Sequence, residues 1–514
     1  MMRSLKSAIQ RKDPEKIPLT ATGHRKGQTT DTFTVEDAVE KLGFGRFQIK
    51  LYLLCGVGYV AIAMAVMIIT VLSSELNCEW RLSSWQQASL STAVFIGMMI
   101  GSFLWGKFCD KYGRRTYFLF QGGIAAFVWL FFYGVLSAFS PTFNWLLVLR
   151  MFVGFGTAAF PVLVTLCVEF LPRRQRGQCV LFLMMFWAAG SCLEVGLAVA
   201  VLPTLGWRWL LVFTAIPSLI VAICCKWIPE SVRYHVASGQ LEKARETLQR
   251  IARENKSSLP PGKLVALVIT EKRGQFRDLF TREFRLTTVL LWFIWTAIMM
   301  CYYGIALMTT ELYQADGNFC GVPDCIGYVD FIIFHLSEAS QDQNQVSCYA
   351  ACKKLSGDAY QNIFITTLAE LPGTLLVMLI LACLPRKPTM AVAFAGFSIF
   401  TFLLLTCAGR TWLTVFIFVA RAFISGGSQL PYVYTPEVYP TTTRALGTGT
   451  CSAVARVGVI LTPFVAQVML KYSVHLTVSV YGSICLLAAG ASLLLPIETK
   501  GRSMQETGQE KLRR

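Results

Sequence analysis

The sequence predicts an all-α membrane protein with twelve transmembrane helices arranged as two pseudo-symmetric six-helix bundles. Of the 514 residues, 54% are hydrophobic and only 15% are charged, whereas soluble domains contain roughly 25% charged residues. In addition, the pattern E-x-x-P-x-x-x-R occurs twice, from Glu169 to Arg176 and from Glu437 to Arg444, with the copies 268 residues apart. An offset of more than half the chain indicates two homologous halves rather than a solenoid.

The predicted spans are apolar stretches of at least about 18 residues, which is enough for a helix to cross the hydrocarbon core. A helix in a large soluble core rarely exceeds about 20 apolar residues, so these stretches argue against a soluble fold. The first half has them near 50–72, 87–106, 116–138, 145–170, 178–202 and 209–228, and the second half near 287–310, 361–384, 389–408, 412–433, 446–470 and 474–496.

The loop charges predict the orientation. An even number of spans places both termini on one side, and basic residues concentrate in cytosolic loops. The loops on the predicted cytosolic side carry Lys107, Lys111, Arg114, Arg115, Arg173, Arg174, Arg176, Arg386, Lys387 and Arg444, against Arg81, Arg208, Arg410 and Lys471 on the other side. Both termini are therefore expected in the cytosol. Because these charges are scattered between spans, the net charge of +17 does not indicate a nucleic-acid partner.

Polar segments outside the bundles set the predicted domain organisation. The first 45 residues are polar and contain no cleavage signal, so span 1 is expected to act as an uncleaved insertion signal. Amphipathic spacing predicts surface helices at 35–40 and around Leu241, Ala244, Leu248 and Ile251. The predicted domains are a cytosolic segment 1–48, a first bundle 49–228, a cytosolic linker 229–286, a second bundle 287–498 and a cytosolic tail 499–514.

A large loop at 312–360 lies on the predicted extracytosolic side. It holds Cys320, Cys325, Cys348 and Cys352, and an oxidising compartment favours two disulfides among them, with three possible connectivities. Free thiols are the alternative; zinc is disfavoured because C-x₂-C spacing is absent. Cys78 lies on the same side and could supply a fifth thiol.

Between predicted spans 2 and 3, the run from Gly106 to Arg115 reads G-x-x-x-D-K-x-G-R-R, which is typical of a tight cytosolic turn. Gly106 permits close approach of two helix ends, Asp110 can cap a helix or pair with a cation, and Gly113 permits a positive φ. Basic residues on an inner loop would explain the arginines alone, but not the whole pattern.

This run resembles the loop 2–3 signature of the major facilitator superfamily, and Arg150-Met-Phe-Val-Gly-Phe-Gly156 resembles its fourth-span signature. The resemblance extends from about residue 32 to residue 503. Pro229–Arg233 and Pro496–Arg502 resemble the sugar-porter and organic-ion-transporter branch, and Thr34–Gln48 and Tyr434–Gly447 are similar to the synaptic vesicle glycoprotein two-related transporters.

The resemblance implies a major facilitator fold whose two bundles rock about a central site. The repeated acids are then expected to form ion pairs across the inner ends, or, alternatively, simply to anchor helix ends at the interface. In the second half, Pro385-Arg386-Lys387-Pro388 replaces a G-R-R turn, which predicts a weaker set of contacts there. The predicted gating residues are Asp110, Arg114, Glu169, Arg176, Glu230, Glu437, Arg444 and Glu498.

Charges inside spans are costly and indicate function. Glu194, Glu370 and Arg456 lie on the fifth, eighth and eleventh spans, which line the cavity in the family that the chain resembles. The alternative for Arg456 is a buried pair with Glu370. Arg150 and Arg421 are expected to bond backbone carbonyls within their own bundles.

Aromatic and amide side chains add further binding candidates. Tyr302, Tyr303, Gln429 and Tyr432 are predicted substrate-binding residues, with helix packing or an interfacial belt as the alternative. Tyr302 and Tyr303 are favoured because Gly304 follows them, where the helix can bend. The first span carries no ionisable group from Gly58 to Ile68, which argues against proton coupling unless Glu194 replaces the missing carboxylate.

The sequence thus predicts a secondary transporter for a small organic solute, an organic ion, with Arg456 favouring anions. The alternative is a transport-inactive receptor or scaffold of the same fold that acts through its extracytosolic loop. An enzyme, a cofactor and a metal are not expected, because no nucleophile constellation, phosphate-binding loop or metal cluster stands out. The expected partners are membrane lipid and the solute, with a monomer in the plasma membrane or an intracellular vesicle membrane.

Overall fold

The computed structural model describes residues 32–112, 123–158, 160–224, 227, 231–237, 239–265, 275–314, 355–406 and 409–500. These residues are almost entirely helical. The strands in this part of the chain form a two-stranded parallel sheet, in which Thr32–Phe33 pairs with Lys263–Leu264. The predicted loop cysteines Cys320, Cys325, Cys348 and Cys352, together with Arg114 and Glu230, lie outside the described residues.

The first half contains six membrane-crossing segments. Span 1 has 35 residues, about 52 Å of helix, so it extends well beyond a hydrocarbon core of about 30 Å. Span 4 is built from two successive helices, the second of which has Pro161 in its first turn, where proline is tolerated. The segments are span 1 (Arg46–Trp80), span 2 (Ser84–Tyr112), span 3 (Gly123–Ala138), span 4 (Phe143–Thr157 and Phe160–Glu169), span 5 (Arg173–Val201) and span 6 (Trp207–Cys224).

The second half repeats this arrangement. Span 8 is again broken into two helices, and span 11 continues through a π-helical turn, Phe464–Met469, into Leu470–Tyr472. The segments are span 7 (Arg285–Gln314), span 8 (Gly357–Leu368 and Glu370–Cys383), span 9 (Arg386–Leu403), span 10 (Arg410–Val438), span 11 (Thr441–Tyr472) and span 12 (Val474–Leu494).

Length and composition support the membrane assignment. Within the described residues, nine helices are long and apolar enough to cross a membrane. Two shorter apolar helices, Phe127–Ala138 and Phe143–Thr157, belong to spans 3 and 4. Together with the 29-residue helix of span 2, they are consistent with the predicted twelve spans.

Short helices cover the face on which span 1 begins, which we call the inner face after the predicted cytosolic orientation. Helix Val35–Leu42 starts with a capping box between Thr34 and Asp37 and buries Ala38, Val39 and Leu42. Helix Leu241–Asn255 buries Ala244, Leu248 and Ile251 as predicted, but Leu241 is 36% exposed and lies off that face. The remaining inner elements are Val232–Ala237 and the 3₁₀ helix Phe276–Phe280.

Within each half, a glycine brings two helices into backbone contact, and the helices concerned are equivalent in the two halves. A Cβ on Gly154 of span 4 would lie 2.0 Å from the carbonyl oxygen of Val94 on span 2. In the second half, a Cβ on Gly373 of span 8 would lie 2.2 Å from the carbonyl oxygen of Ala422 on span 10. The close packing of spans 2 and 4, and of spans 8 and 10, therefore requires glycine at these contacts.

The two halves meet mainly through spans 2 and 11 and through spans 5 and 8. Among the described residues, the hydrogen bonds between the halves lie at mid-membrane or nearer the opposite, outer face. Near the outer ends, the Tyr360 hydroxyl donates to Glu75 at 2.5 Å and the Thr92 hydroxyl donates to the Ile460 carbonyl at 3.3 Å. The structure is therefore closed between the halves on its outer side.

Candidate functional site

A cavity lies at mid-membrane between the halves, with a volume of about 70 Å³. This is several times the roughly 10–15 Å³ that one water molecule requires. Five of the predicted binding residues line it: Tyr302, Tyr303, Gln429, Tyr432 and Arg456. The other lining residues are Ile62, Met98, Met184, Trp187, Trp295, Met299, Ser428, Ser452, Ala455 and Val459.

Arg456 supplies the positive charge of the cavity. Its side chain is half-buried, and its guanidinium makes a long contact of 3.8 Å with the Met98 sulfur. Among the described ion pairs, none involves Arg456. The alternative of a buried pair between Arg456 and Glu370 is wrong, because Glu370 pairs with Arg421 at 2.8 Å.

A buried hydrogen-bonded chain leads from the cavity wall into the second half. The Trp187 indole of span 5 donates to the Tyr302 hydroxyl at 2.7 Å, and that hydroxyl donates to Glu370 at 3.0 Å. Arg421 completes the chain by donating to the second oxygen of Glu370 at 2.8 Å. The chain therefore joins span 5 of the first half to spans 7, 8 and 10 of the second.

The sequence predicts that Arg421 bonds backbone carbonyls, but its described hydrogen bonds go to side chains. Arg421 donates to the Thr367 hydroxyl at 2.9 Å and to Glu370, with side chains 5% exposed for Arg421 and 1% for Glu370. A buried pair of this kind is a weak net stabiliser, but removing one partner costs about 3–5 kcal/mol because the other charge is left uncompensated. Glu370 thus lies behind the cavity wall, one hydrogen bond from the lining residue Tyr302.

Glu194 lies in the interior of the first half and does not line the cavity in this conformation. It is fully buried, and both of its carboxylate oxygens accept from the Thr214 hydroxyl, at 3.0 and 2.9 Å. The positive charge of the Arg150 guanidinium attracts the Glu194 carboxylate. Two Arg150 nitrogens, Nε and Nη2, are buried without a hydrogen-bond partner, so the predicted bonds from these atoms to carbonyls are not present.

Aromatic rings and an amide complete the cavity wall. The Trp295 and Tyr432 rings lie 4.4 Å apart, and the Tyr303 ring lies 5.0 Å from Phe95 across the interface between the halves. The Gln429 nitrogen donates to Ser428 at 3.2 Å, whereas its buried Oε1 has no hydrogen-bond partner. The described wall of the cavity therefore includes a cation on Arg456, an amide oxygen on Gln429 without a partner, and aromatic ring surface.

On the inner face of the first half, Glu36 joins two arginines. Arg176 pairs with Glu36 at 2.8 Å and Arg233 pairs with the other Glu36 oxygen. Glu169 accepts a hydrogen bond from Ser231. The sequence did not select Glu36, although it lies in the segment that resembles the synaptic vesicle family. Asp110 lies in the last turn of span 2, but its side chain, like Arg114 and Glu230, is outside the described part of the structure.

The inner face of the second half is organised by Glu437 and Glu498. Arg386 pairs with Glu437 at 3.4 Å, and the backbone N–H groups of Arg386 and Lys387 donate to Glu498 at 2.9 and 3.1 Å. Arg444 joins neither acid: its Nε and Nη2 are buried without a hydrogen-bond partner. The Pro-Arg-Lys-Pro run thus supplies partners to both acids. The corresponding loop of the first half lies outside the described residues, so the weaker set of contacts in the second half stays a prediction.

Burial and backbone donors act in opposite directions on Glu498. Burial raises its pKa, but N–H groups of Arg386, Lys387, Lys500 and Thr499 stabilise the charged form more strongly, so the net pKa lies below the usual range. The carboxylate therefore stays charged at neutral pH and holds the start of span 9 against the end of span 12.

Cys78, at the outer end of span 1, is disulfide-bonded, so it is not a spare thiol. Its partner is outside the described residues. The nine described free cysteines lie in or beside spans, as the burial argument predicts for small apolar side chains. They are Cys55, Cys167, Cys179, Cys192, Cys224, Cys301, Cys383, Cys451 and Cys485.

Comparison with known proteins identifies a family model and several relatives that match this chain over most of its length. The family model of the Major Facilitator Superfamily matches residues 51–333 and 354–513. The synaptic vesicle 2-related protein of Pongo abelii is 52% identical over 479 residues, covering 93% of this chain and 83% of the relative. The Xenopus laevis protein of the same name has the same identity and coverage.

Solved structures support the fold alone. The partially occluded inward open conformation of the xylose transporter XylE from E. coli superposes with a TM-score of 0.61 at 19% identity. The match covers 89% of this chain and 100% of that one. The inward open conformation of the same transporter gives a TM-score of 0.60 at 18% identity, with 89% and 98% covered.

Proposed function

This chain belongs to the major facilitator superfamily, and from that premise we propose that it is a secondary transporter that moves a small organic anion across a membrane by alternating access. The observation that carries the proposal is the central cavity between the two halves, lined by Arg456. A cavity at the repeat interface is where such carriers hold their solute. A binding module without transport would not need its site at this junction.

Arg456 supports an anionic solute. A cation at membrane depth is costly, and an arginine there faces a partner or a polar cavity. Since no described acid pairs with Arg456, a carboxylate, sulfonate or phosphate of the solute would supply the missing charge. Planar guanidinium groups bind such oxyanions through paired hydrogen bonds.

The rest of the wall supports an organic solute with an apolar or aromatic body and one hydrogen-bond donor. Trp295, Tyr303 and Tyr432 present ring surface to the cavity, against which a flat body can pack. The open Oε1 of Gln429 can accept from a hydroxyl or amine of the solute. The cavity of about 70 Å³ must widen as the solute enters, which suits a site that opens in a second conformation.

The distribution of contacts between the two faces supports alternating access. The outer side is closed by contacts between halves, while the described ion pairs on the inner face lie within one half or between it and its own surface helices. We assign gating roles to Glu169, Arg176, Glu437 and Glu498, and extend them to Arg444, Asp110, Arg114 and Glu230. A balance between two states of a few kcal/mol is sensitive to single pairs of this kind.

We further propose facilitative or exchange transport at this cavity. The residue of span 1 that lines it is Ile62, and Glu194 is buried away from it. The proposed orientation puts both termini in the cytosol. The name of the vertebrate relatives favours a vesicle membrane. The receptor or scaffold alternative concerns the loop 312–360, for which the described residues offer no supporting observation.

The experiment is thermal stabilisation of the purified protein by a panel of organic anions, cations and neutral solutes. We expect anions with an apolar body to raise the unfolding temperature of the wild type. Arg456→Gln is expected to weaken binding roughly 10- to 100-fold, since hydrogen bonds to a charged group contribute about 1.5–3 kcal/mol. Arg410→Gln, at an exposed arginine on the outer side, is the matched control and should leave the shift unchanged.

Glu194→Gln sharpens the same experiment. Because Glu194 is hydrogen-bonded to Thr214 inside the first half, its neutral isostere should leave solute binding as it is. The proposed solute class would be overturned if only cations raised the unfolding temperature, or if anions raised it equally in Arg456→Gln.

A further inference from the structure

A second polar cluster lies near the outer ends of spans 1, 7 and 11, away from the central cavity. The Gln467 nitrogen of span 11 donates to the Ser73 hydroxyl of span 1 at 3.2 Å. The Gln467 side chain also forms a hydrogen bond with the Glu311 carboxyl of span 7. The cluster therefore bridges the two halves at the level where the structure is closed.

Glu311 is buried in this cluster with only part of its carboxylate compensated. The residue is 8% exposed, and its Oε1 is buried with no hydrogen-bond partner. The Oε1 of Gln467, a fully buried residue, is also without a partner, so two unpartnered oxygens are enclosed in one cluster. An isolated ionised carboxylate in such a place is costly, and the usual outcome is that it becomes neutral.

Among the described residues, the cation that interacts with this carboxyl is not in direct contact with it. Lys471 acts on Glu311 electrostatically but is itself exposed and donates to Gln87 on span 2 at 3.4 Å. No ion pair of Glu311 is found among the described residues. Other titratable groups at the outer ends of span 7 and of the spans that pack on it include Glu75, Tyr360, Tyr313, Arg410 and His475.

The helix that carries Gln467 is irregular at this point. Phe464–Met469 forms a π-helical turn directly after Pro463, and Gln467 lies inside it. Proline and π turns break the regular ladder of an α-helix, and single π turns recur at functional sites. The irregular turn positions the amide at a contact that must form and separate as the halves rock.

We propose that Glu311 is a proton-binding residue of the outer gate: its carboxyl takes up a proton from the outer solution as the halves close around it and releases that proton when the outer ends part. A proton suits the cluster better than a metal ion. A hard cation requires about six oxygen ligands, and no group of three metal-ligating side chains is found among the described residues.

This inference rests on the proposed alternating access. The outer-closed state holds one more proton than the outer-open state, so lowering the outer pH favours closure. For a single linked proton, the ratio of closed to open molecules changes by up to about tenfold per pH unit. Acidification of the outer solution would thus favour the state in which the cavity opens to the inner face. This effect needs no titratable group of span 1 in the cavity lining, where span 1 contributes Ile62.

The test is a distance measurement in lipid nanodiscs across the outer ends, without added solute. Spin labels introduced as unnatural amino acids at Leu205 and Tyr472, which are 51% and 79% exposed, leave the native cysteines intact. In the wild type we expect the short-distance population to grow as the buffer is made more acidic. Glu311→Gln, which mimics the protonated form, should hold this population high at every pH.

Two controls make the outcome decisive. Glu311→Asp keeps a titratable group and should restore pH dependence, and a thermal unfolding curve checks that each variant is folded. Glu79→Gln alters an outer carboxylate paired with Arg208 inside the first half and should behave as the wild type does. The proposal is overturned if Glu311→Gln responds to pH like the wild type, or if sodium at constant pH drives closure through Glu311. If the distance between the labels at Leu205 and Tyr472 stays the same in the wild type and in every variant at every pH, the proposed alternating access itself is contradicted.

Discussion

The two halves share a backbone plan but use their buried arginines differently. In each half an arginine lies on the fourth helix, Arg150 in span 4 and Arg421 in span 10, and each acts on a buried glutamate. In the second half that glutamate, Glu370, bonds Tyr302, which lines the cavity. In the first half Glu194 bonds Thr214, and no described hydrogen bond links it to the cavity wall. Both halves thus carry the arginine but place its acid differently, and under the proposed function this difference would couple only the second half to the solute.

The largest expected loss of stability comes from breaking the buried ion pair between Glu370 and Arg421. Glu370→Ala leaves the Arg421 guanidinium buried without its carboxylate, which should lower the free energy of unfolding by about 3–5 kcal/mol. Unfolding of the purified protein in mixed micelles measures this change. A loss below about 1 kcal/mol would show that water or neighbouring groups already neutralise Arg421.

The next effect tests the link between that pair and the cavity. Tyr302→Phe removes the hydroxyl that accepts from Trp187 and donates to Glu370, at an expected cost of about 1–3 kcal/mol of stability. Because Tyr302 also lines the cavity, the stabilisation by a bound solute should fall as well. An unchanged solute shift would separate the network from the site.

The first half provides the contrasting substitution. Thr214→Val removes the hydroxyl that donates to Glu194, and a lost hydrogen bond between membrane helices costs about 1 kcal/mol. Here the solute shift should not change, since Glu194 is remote from the cavity. Weaker solute binding in Thr214→Val would mean that both halves are coupled to the site, and the asymmetry would be refuted.

The smallest effect is expected at the inner face. Arg386 and Glu437 are each about one-fifth exposed and lie 3.4 Å apart, so a double-mutant cycle of Arg386→Gln and Glu437→Gln should give a coupling of about 0.2–1 kcal/mol. The more informative readout is the population of outer-closed molecules, which should shift in both single variants. No shift in either would assign this pair to anchoring alone.

The sequence predicted the fold well because membrane helices are set by composition and length. It placed most span boundaries within a few residues, but ended span 1 at 72, whereas the helix continues to Trp80. The additional turns, from residue 73 to Trp80, lie beyond the apolar stretch, and a hydropathy pattern does not detect a helix whose side chains are polar. Span 7 was likewise ended at 310, which left Glu311 out of consideration.

The site was predicted in part. Arg456, Tyr302 and Tyr432 were selected because charges and aromatics are conspicuous within apolar spans, and all three line the cavity. The partner of Glu370 was not predictable, since Arg421 and Arg456 lie on different helices and only the rotation of spans 10 and 11 decides which one faces it. Glu36 was missed because its contact with Arg176 depends on how a surface helix docks.

If the halves rock about an anion held by Arg456, that anion must cross the membrane, and a flux assay measures the crossing. The anion that most stabilises the purified protein is radiolabelled, and its uptake is followed into liposomes that contain wild type, Arg456→Gln or Arg410→Gln. We expect saturable uptake by the wild type and the Arg410 control, and its loss in the Arg456 variant. Binding without uptake by the wild type, or equal uptake by the Arg456 variant, would contradict transport of an anion held by Arg456.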